Sequence, residues 1–79
     1  DFIFYPEDRS DTCIILELKV DHTPEEAIEQ IRDKDYMLRF MGKLGELPKY
    51  TGEILGVGIS YSKIDKIHRC KTEILRNRM

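Results

Sequence analysis

A nearly unbroken apolar run, Cys13–Val20, limits the fold of this chain more than any other segment. Its sequence is Cys-Ile-Ile-Leu-Glu-Leu-Lys-Val, so apolar residues occupy both alternating sets of positions. A strand with two apolar faces is typical of the centre of a sheet rather than its edge. We therefore predict a central strand, in which the charges of Glu17 and Lys19 require a chemical explanation.

The segments on either side predict a hairpin and a helix. Residues 1–5 alternate in the manner of a strand, and the polar residues that follow Pro6 predict a surface connection. Thr23 is the expected N-cap of a helix, with Pro24 at its first position and Glu26 completing a capping box. Because the chain opens directly on a strand without Met, we expect it to be truncated at its amino end.

The predicted helix has one apolar stripe and one expected end. The stripe consists of Ala27, Ile31, Lys34, Leu38 and Met41, with Ile28 beside it. This spacing predicts a helix that packs on the sheet through an apolar face interrupted by one lysine. Gly42 is the expected stop, and residues 43–52 predict a loop.

Two further strands complete the pattern. Residues 53–61 predict a buried strand, in which Gly56 and Gly58 indicate a close approach on one face. Residues 66–74 mix polar and apolar positions, as an outer strand does. A helix between the second and third strands makes those two parallel, while the flanking pairs form antiparallel hairpins. The predicted fold class is α/β: one domain over residues 1–79, with a mixed sheet of about four strands and one main crossover helix in the order ββαββ.

Composition and charge narrow the function classes. A hydrophobic fraction of 41% and a charged fraction of 35% indicate a folded domain rather than a disordered one. Residues 1–35 hold 11 acidic against 4 basic residues, whereas residues 36–79 hold 4 against 9. The basic residues of the carboxyl end either contact phosphates or form a solvated edge strand. They are Lys63, Lys66, Arg69, Lys71, Arg76 and Arg78.

Cysteine spacing and hydropathy bear on location. Cys13 and Cys70 lie far apart outside any metal-ligand spacing, so we expect two free thiols, buried or half-buried. The sequence has no apolar run of the ~18 residues that a membrane span needs, and no signal-peptide pattern. We therefore expect a cytoplasmic domain with no membrane partner.

The residues that point to chemistry lie on the first two strands. Glu17 and Lys19 are two residues apart and project from the same face of their strand. Asp1, on the preceding strand, reaches the same region if the register places it opposite Glu17. Two carboxylates and a lysine on one face suit metal-assisted phosphodiester hydrolysis, because Mg²⁺ prefers oxygen ligands. The alternative is a Glu17–Lys19 ion pair along the strand without catalytic meaning. We expect His22 and His68 to be solvated.

These residues resemble a known family. Asp1 followed by Ile-Leu-Glu-Leu-Lys-Val at 15–20 looks like the D…(D/E)xK core of the PD-(D/E)XK nuclease superfamily. Residues 23–36 are similar to the helix that follows this core in the nuclease-like domain at the carboxyl end of bacterial AAA-ATPase-like proteins. The Ile-Leu-Gly-Val-Gly-Ile-Ser-Tyr and Lys-Ile-His-Arg-Cys-Lys segments are similar to that family's closing strands. The resemblance implies a restriction-endonuclease-like core.

The resemblance also implies roles for individual residues. Asp1, Glu17 and the backbone carbonyl of Leu18 would bind Mg²⁺ or Mn²⁺, and Lys19 would orient the attacking water. Gln30 would face the site, as the glutamine does in the Gln…Tyr helix signature of RecB-type members. The implied nucleic-acid contacts are Tyr36, Lys34 and Arg69.

One departure from the family pattern concerns the tyrosine of that signature. The RecB-type tyrosine lies four residues after the glutamine, a position that Lys34 holds here. Tyr36 lies six residues after Gln30 and so about 120° around a helix from it. Ordinary packing of Tyr36 is therefore the alternative to a site role.

The function implied by the resemblance is metal-dependent hydrolysis of nucleic acid, with DNA favoured over RNA. The parent chain would carry an ATPase-like domain, and an exposed sheet edge would allow a homodimer. The alternative is a catalytically inactive remnant of the nuclease fold that acts as an interaction or dimerisation module.

Overall fold

The computed structural model describes residues 2–34 and 49–79. Its elements are β1 (Phe2–Phe4), β2 (Cys13–Val20), α1 (Pro24–Asp33), β3 (Ile54–Tyr61) and β4 (His68–Arg76). The strands form one sheet in the order β1-β2-β3-β4, in which β2 and β3 are parallel and both outer pairs are antiparallel. The predicted mixed α/β sheet and ββαββ order are therefore confirmed. None of the described helices has the length and apolar character needed to cross a membrane.

Helix α1 begins as predicted. Thr23 is its N-cap, and the Thr23 hydroxyl accepts a hydrogen bond from the Glu26 backbone N–H at 3.1 Å. The expected reciprocal half of the capping box is replaced, because the Glu26 carboxylate lies 2.5 Å from His22 Nδ1. Glu25 and Glu26 lie in the first turn, where carboxylates interact favourably with the helix dipole.

The end of α1 differs from the prediction. The helix ends at Asp33 with Lys34 as its C-cap, whereas the apolar stripe predicted one continuous helix to Met41. Aspartate is a weak helix former and is unfavourable at the negative end of the helix dipole, so Asp33 followed by Asp35 opposes continuation. Leu38, Met41 and Gly42 lie outside the described residues.

The core lies between α1 and one face of the sheet. Its buried members come from β2, β3 and α1, and Ile3, Tyr50 and Leu75 pack against them. The cluster consists of Cys13, Ile15, Ile28, Ile31 and Ile54. Burial alternates along β2 and β3, since every second side chain of a strand points to the helix side. This alternation also brings Glu17 into the layer between sheet and helix.

The glycines of β3 admit the close packing that the sequence predicted. A Cβ atom at Gly58 would lie 2.4 Å from the Pro24 carbonyl oxygen and 3.1 Å from Ala27 Cβ. At Gly56 the nearest atoms would belong to the Leu75 side chain, at 3.1 Å or more. The first turn of α1 therefore rests directly on the backbone of β3 at Gly58.

Arg76 fastens the end of β4 to the segment that leads into β3. Its Nη2 donates to the Tyr50 carbonyl oxygen at 2.6 Å and to the Gly52 carbonyl oxygen at 2.8 Å. The predicted basic surface of the carboxyl end therefore does not include Arg76. Its guanidinium donates to backbone carbonyl oxygens and is not directed towards a nucleic-acid phosphate in solvent.

Candidate functional site

Glu17 is a buried carboxylate at the centre of the sheet. It is 5% exposed and pairs in register with Gly58 of β3. Because Gly58 has no side chain, the first turn of α1 lies directly over the strand next to Glu17. A charge in this position needs partners that offset the loss of hydration.

Gln30 supplies one such partner. Its Nε2 donates to Glu17 Oε1 at 2.6 Å, across the interface between α1 and β2. The family resemblance implied that Gln30 faces the site, and in the structure its side chain contacts that of Glu17. A hydrogen bond donated to a carboxylate fixes the direction of its oxygens.

Lys34 lies at the same carboxylate. Its Nζ is 4.0 Å from Glu17 Oε1, and its side chain is 44% exposed. The Glu17 carboxylate therefore has an ion-pair partner on the C-cap of α1, which the alternative of a Glu17–Lys19 pair along the strand did not include. Lys34 is one of the implied nucleic-acid contacts. Its position within ion-pair distance of Glu17 was not predicted.

Lys19 opens onto a cleft beside α1. The cleft has a volume of about 240 Å³. It is lined by Lys19, His22, Glu26, Glu29, Gln30 and Asp33. Lys19 and Gln30 thus line the same cleft. Glu17 is buried between the sheet and α1 and contacts Gln30 there. The lining combines the three carboxylates of Glu26, Glu29 and Asp33 with the ammonium of Lys19 and the imidazole of His22.

The other predicted site residues within the described part of the chain lie in β2 and β4. Asp1 and Tyr36 lie outside the described residues. Leu18 is in β2, opposite Ile59, and its side chain is 51% exposed on the face away from Glu17. Arg69 pairs with Ser60, which pairs with Lys19, so Lys19 and Arg69 belong to one row across the sheet.

The two histidines are exposed, as predicted. The His22 side chain is 55% exposed and contacts Glu26, which places it in the cleft lining. The ring of His68 packs on Tyr61 with centroids 4.7 Å apart. The sequence did not predict the His22–Glu26 contact or the Tyr61–His68 contact. Each depends on the turn that joins the two elements concerned, β2 to α1 and β3 to β4.

Within residues 2–34 and 49–79, no three His, Cys, Asp or Glu side chains come close enough to hold one ion. The Glu17 carboxylate is itself an oxygen ligand of the kind that a hard cation takes, although Gln30 meets it through its N–H donor and not through its amide oxygen. Magnesium is commonly bound through one or two carboxylates, with the substrate and water completing its coordination.

Comparisons with models of protein families, with curated proteins and with solved structures found no match for this chain.

Proposed function

We propose that this domain is a metal-dependent phosphodiesterase of the PD-(D/E)XK type, which hydrolyses nucleic acid with DNA as its preferred substrate. The single observation that supports this most is the buried Glu17 carboxylate, held by Gln30 at 2.6 Å with Lys19 two residues further along the strand. A carboxylate is seldom kept in the core of a small domain unless it has a function, because removing its charge from water costs free energy.

Asp1 and Glu17 are the proposed protein ligands of Mg²⁺ or Mn²⁺, with the Leu18 carbonyl as the third. Phe2 and Leu16, which adjoin Asp1 and Glu17 in the sequence, are partners in the register of β1 and β2. When bound, the ion supplies Lewis-acid polarisation of the phosphoryl group and a more acidic water.

The chain's own residues have three proposed tasks. Gln30 keeps the Glu17 carboxylate in one orientation by donating to Oε1. Lys19, at the wall of the cleft, donates a hydrogen bond to the attacking water and offsets the negative charge that develops on the phosphate. Lys34 and Arg69 contact the nucleic-acid backbone, and Tyr36 is the third proposed contact.

Binding of Mn²⁺ tests the metal site directly. Isothermal titration calorimetry on the wild type and on Glu17→Gln should show a site that the substitution weakens by at least about tenfold. Glu29→Gln is the matched control, because Glu29 lines the same cleft without contacting Glu17 among the described residues. Equal affinity for all three proteins would contradict the proposed site.

A second function is favoured by a different observation. The Lys34 ammonium lies 4.0 Å from Glu17 Oε1. This arrangement also suits a carboxylate whose charge is balanced by a lysine of the same chain and not by a metal ion. In that case the domain is a catalytically inactive remnant that acts as an interaction module. The calorimetric experiment separates the two proposals, since an inactive remnant has no metal affinity that depends on Glu17. An ATPase-like domain in the parent chain and a homodimer through a sheet edge are further proposals that follow from the resemblance.

A further inference from the structure

The face of the sheet opposite α1 is apolar and open. We call it the open face. It is formed by the even-numbered residues of β1, of β2 and of β4 up to Ile74, together with the odd-numbered residues of β3. Helix α1 lies on the other side, as the contact of Gly58 with Pro24 and the 2.9 Å Arg32–Glu73 ion pair establish.

The exposure of this face is large for a chain of this size. Five of its side chains are between 41% and 58% exposed: Phe2, Phe4, Leu18, Val20 and Ile74. A contiguous apolar patch of more than a few hundred Å² on a small protein marks an interaction site. Strands that are paired in parallel are also normally covered on both faces, and here the parallel pair β2–β3 lies at the centre of the patch.

The distribution of charge identifies the kind of partner. No Asp, Glu, Lys or Arg stands at any position of the open face as defined above, although 35% of the chain is charged. The charged residues of β2 and β4, namely Glu17, Lys19, Arg69, Lys71, Glu73 and Arg76, all lie on the helix side. A face without Asp, Glu, Lys or Arg offers no ion pair to a phosphate or an acidic peptide, and it meets its own copy without charge repulsion.

We propose that the open face is the interface of a homodimer, in which the sheets of two copies pack face to face about a two-fold axis. Such an interface is self-complementary, because each residue meets the same patch of its partner. Aligned packing of two twisted sheets is a common solution for apolar sheet faces.

The area of the face agrees with a weak dimer. At ~3.3 Å per residue and ~4.8 Å between strands, the sheet projects roughly 400 to 500 Å² per copy. Two copies therefore bury roughly 800 to 1,000 Å², which is at the lower limit for a specific interface. We expect dissociation in the micromolar range. The Glu17 site lies on the opposite side of the sheet, so the dimer neither depends on the proposed nuclease function nor blocks it.

Sedimentation equilibrium on the full chain tests the proposal. Between about 1 and about 200 µM the mass should rise from 9.3 kDa towards twice that value. Phe4→Lys and Ile74→Lys place a charge on the open face and should each raise the dimer dissociation constant at least about tenfold. Ile64→Lys is the matched control, because Ile64 is 94% exposed in the turn between β3 and β4.

A measurement without substitutions guards against variants that fail to fold. Cys70 lies on the open face and is an exposed thiol, so its alkylation by iodoacetamide should slow as the concentration of wild-type protein rises. A monomeric wild type at the highest concentration would overturn the proposal. It would also be overturned if Ile64→Lys weakened association as much as the face variants, or if the face variants dimerised like the wild type, as a dimer through a strand edge would.

Discussion

Gln30 Nε2 donates a hydrogen bond to Glu17 Oε1 at 2.6 Å, and this contact joins the helix to the most buried charge in β2. The two residues are thirteen positions apart, so only the β2–α1 turn brings them together. The contact ties stability to the proposed chemistry, because the same amide that satisfies Glu17 also fixes its direction.

Removing the amide of Gln30 should weaken both properties. Gln30→Leu deprives a carboxylate that is 5% exposed of a donor and should lower the free energy of unfolding by about 1.5 to 3 kcal/mol. The measurement is urea denaturation followed by circular dichroism. Glu29→Leu is the control on the exposed neighbouring position, with a change expected within about 0.5 kcal/mol. Similar losses in both variants would argue against a special role for the Gln30 amide.

The two glycines of β3 should respond unequally to alanine. Gly58→Ala forces a Cβ to 2.4 Å from the Pro24 carbonyl oxygen, which belongs to rigid backbone, and should cost about 3 kcal/mol or more. Gly56→Ala meets the Leu75 side chain at 3.1 Å, and that side chain can move, so about 1 kcal/mol is expected. Thermal denaturation of the pair gives the comparison, and an equal or reversed order contradicts the packing of α1 on Gly58.

Arg76 should behave as a structural residue. Arg76→Met removes the two hydrogen bonds from Nη2 to the carbonyls of Tyr50 and Gly52 and should lower the free energy of unfolding by about 2 to 3 kcal/mol. Arg78→Met, at an exposed position, should change it by less than about 0.5 kcal/mol. If both substitutions instead weakened DNA binding equally without affecting stability, Arg76 would belong to the nucleic-acid surface after all.

The buried thiol of Cys13 should make stability fall at high pH. Burial raises the pKa of Cys13 above its ordinary value of 9.0, and the nearby Arg76 guanidinium opposes this only in part. The unfolded state therefore loses the thiol proton first. The contribution of Cys13 is fully present below pH 9.0 and is lost as pH rises through the folded-state pKa.

Replacing the thiol isolates this effect. Cys13→Val has no titrating group, so its free energy of unfolding should decline less than that of the wild type over the same alkaline range. Chemical denaturation at a series of pH values gives the two curves. Parallel curves would show that other groups account for the alkaline loss. Alkylation at neutral pH should modify the exposed Cys70 far faster than the buried Cys13.

The fold was predictable because its signals are local. The apolar run of β2, the Thr23-Pro24 start of α1 and the paired glycines of β3 each act within a few residues, and the structure confirms all three. The end of α1 at Asp33 was not predicted, because the apolar stripe continues in the sequence to Met41. The low helix propensity of aspartate and its unfavourable charge at the negative end of the helix dipole were not considered. Cys70 proved to be exposed, not half-buried, since β4 lies at the edge of the sheet.

The site was predictable only in part. The approach of Gln30 to Glu17 followed from a family resemblance, whereas the position of Lys34 at 4.0 Å depends on where the helix ends. Arg76 looked like one more basic residue of the carboxyl end, because its partners are backbone carbonyls that leave no trace in the sequence.

Metal-dependent cleavage of DNA is the most direct test of the proposed phosphodiesterase. Single-stranded and duplex DNA are incubated with the wild type, Lys19→Ala and Lys71→Ala in Mg²⁺ or Mn²⁺, and with the wild type in a chelator. Lys71→Ala is the control for loss of a basic residue on the same side of the sheet. The account predicts cleavage that requires the metal and falls by at least about a hundredfold in Lys19→Ala while Lys71→Ala stays active. Cleavage that persists in Lys19→Ala, or no cleavage by the wild type together with no Mn²⁺ affinity dependent on Glu17, would contradict it.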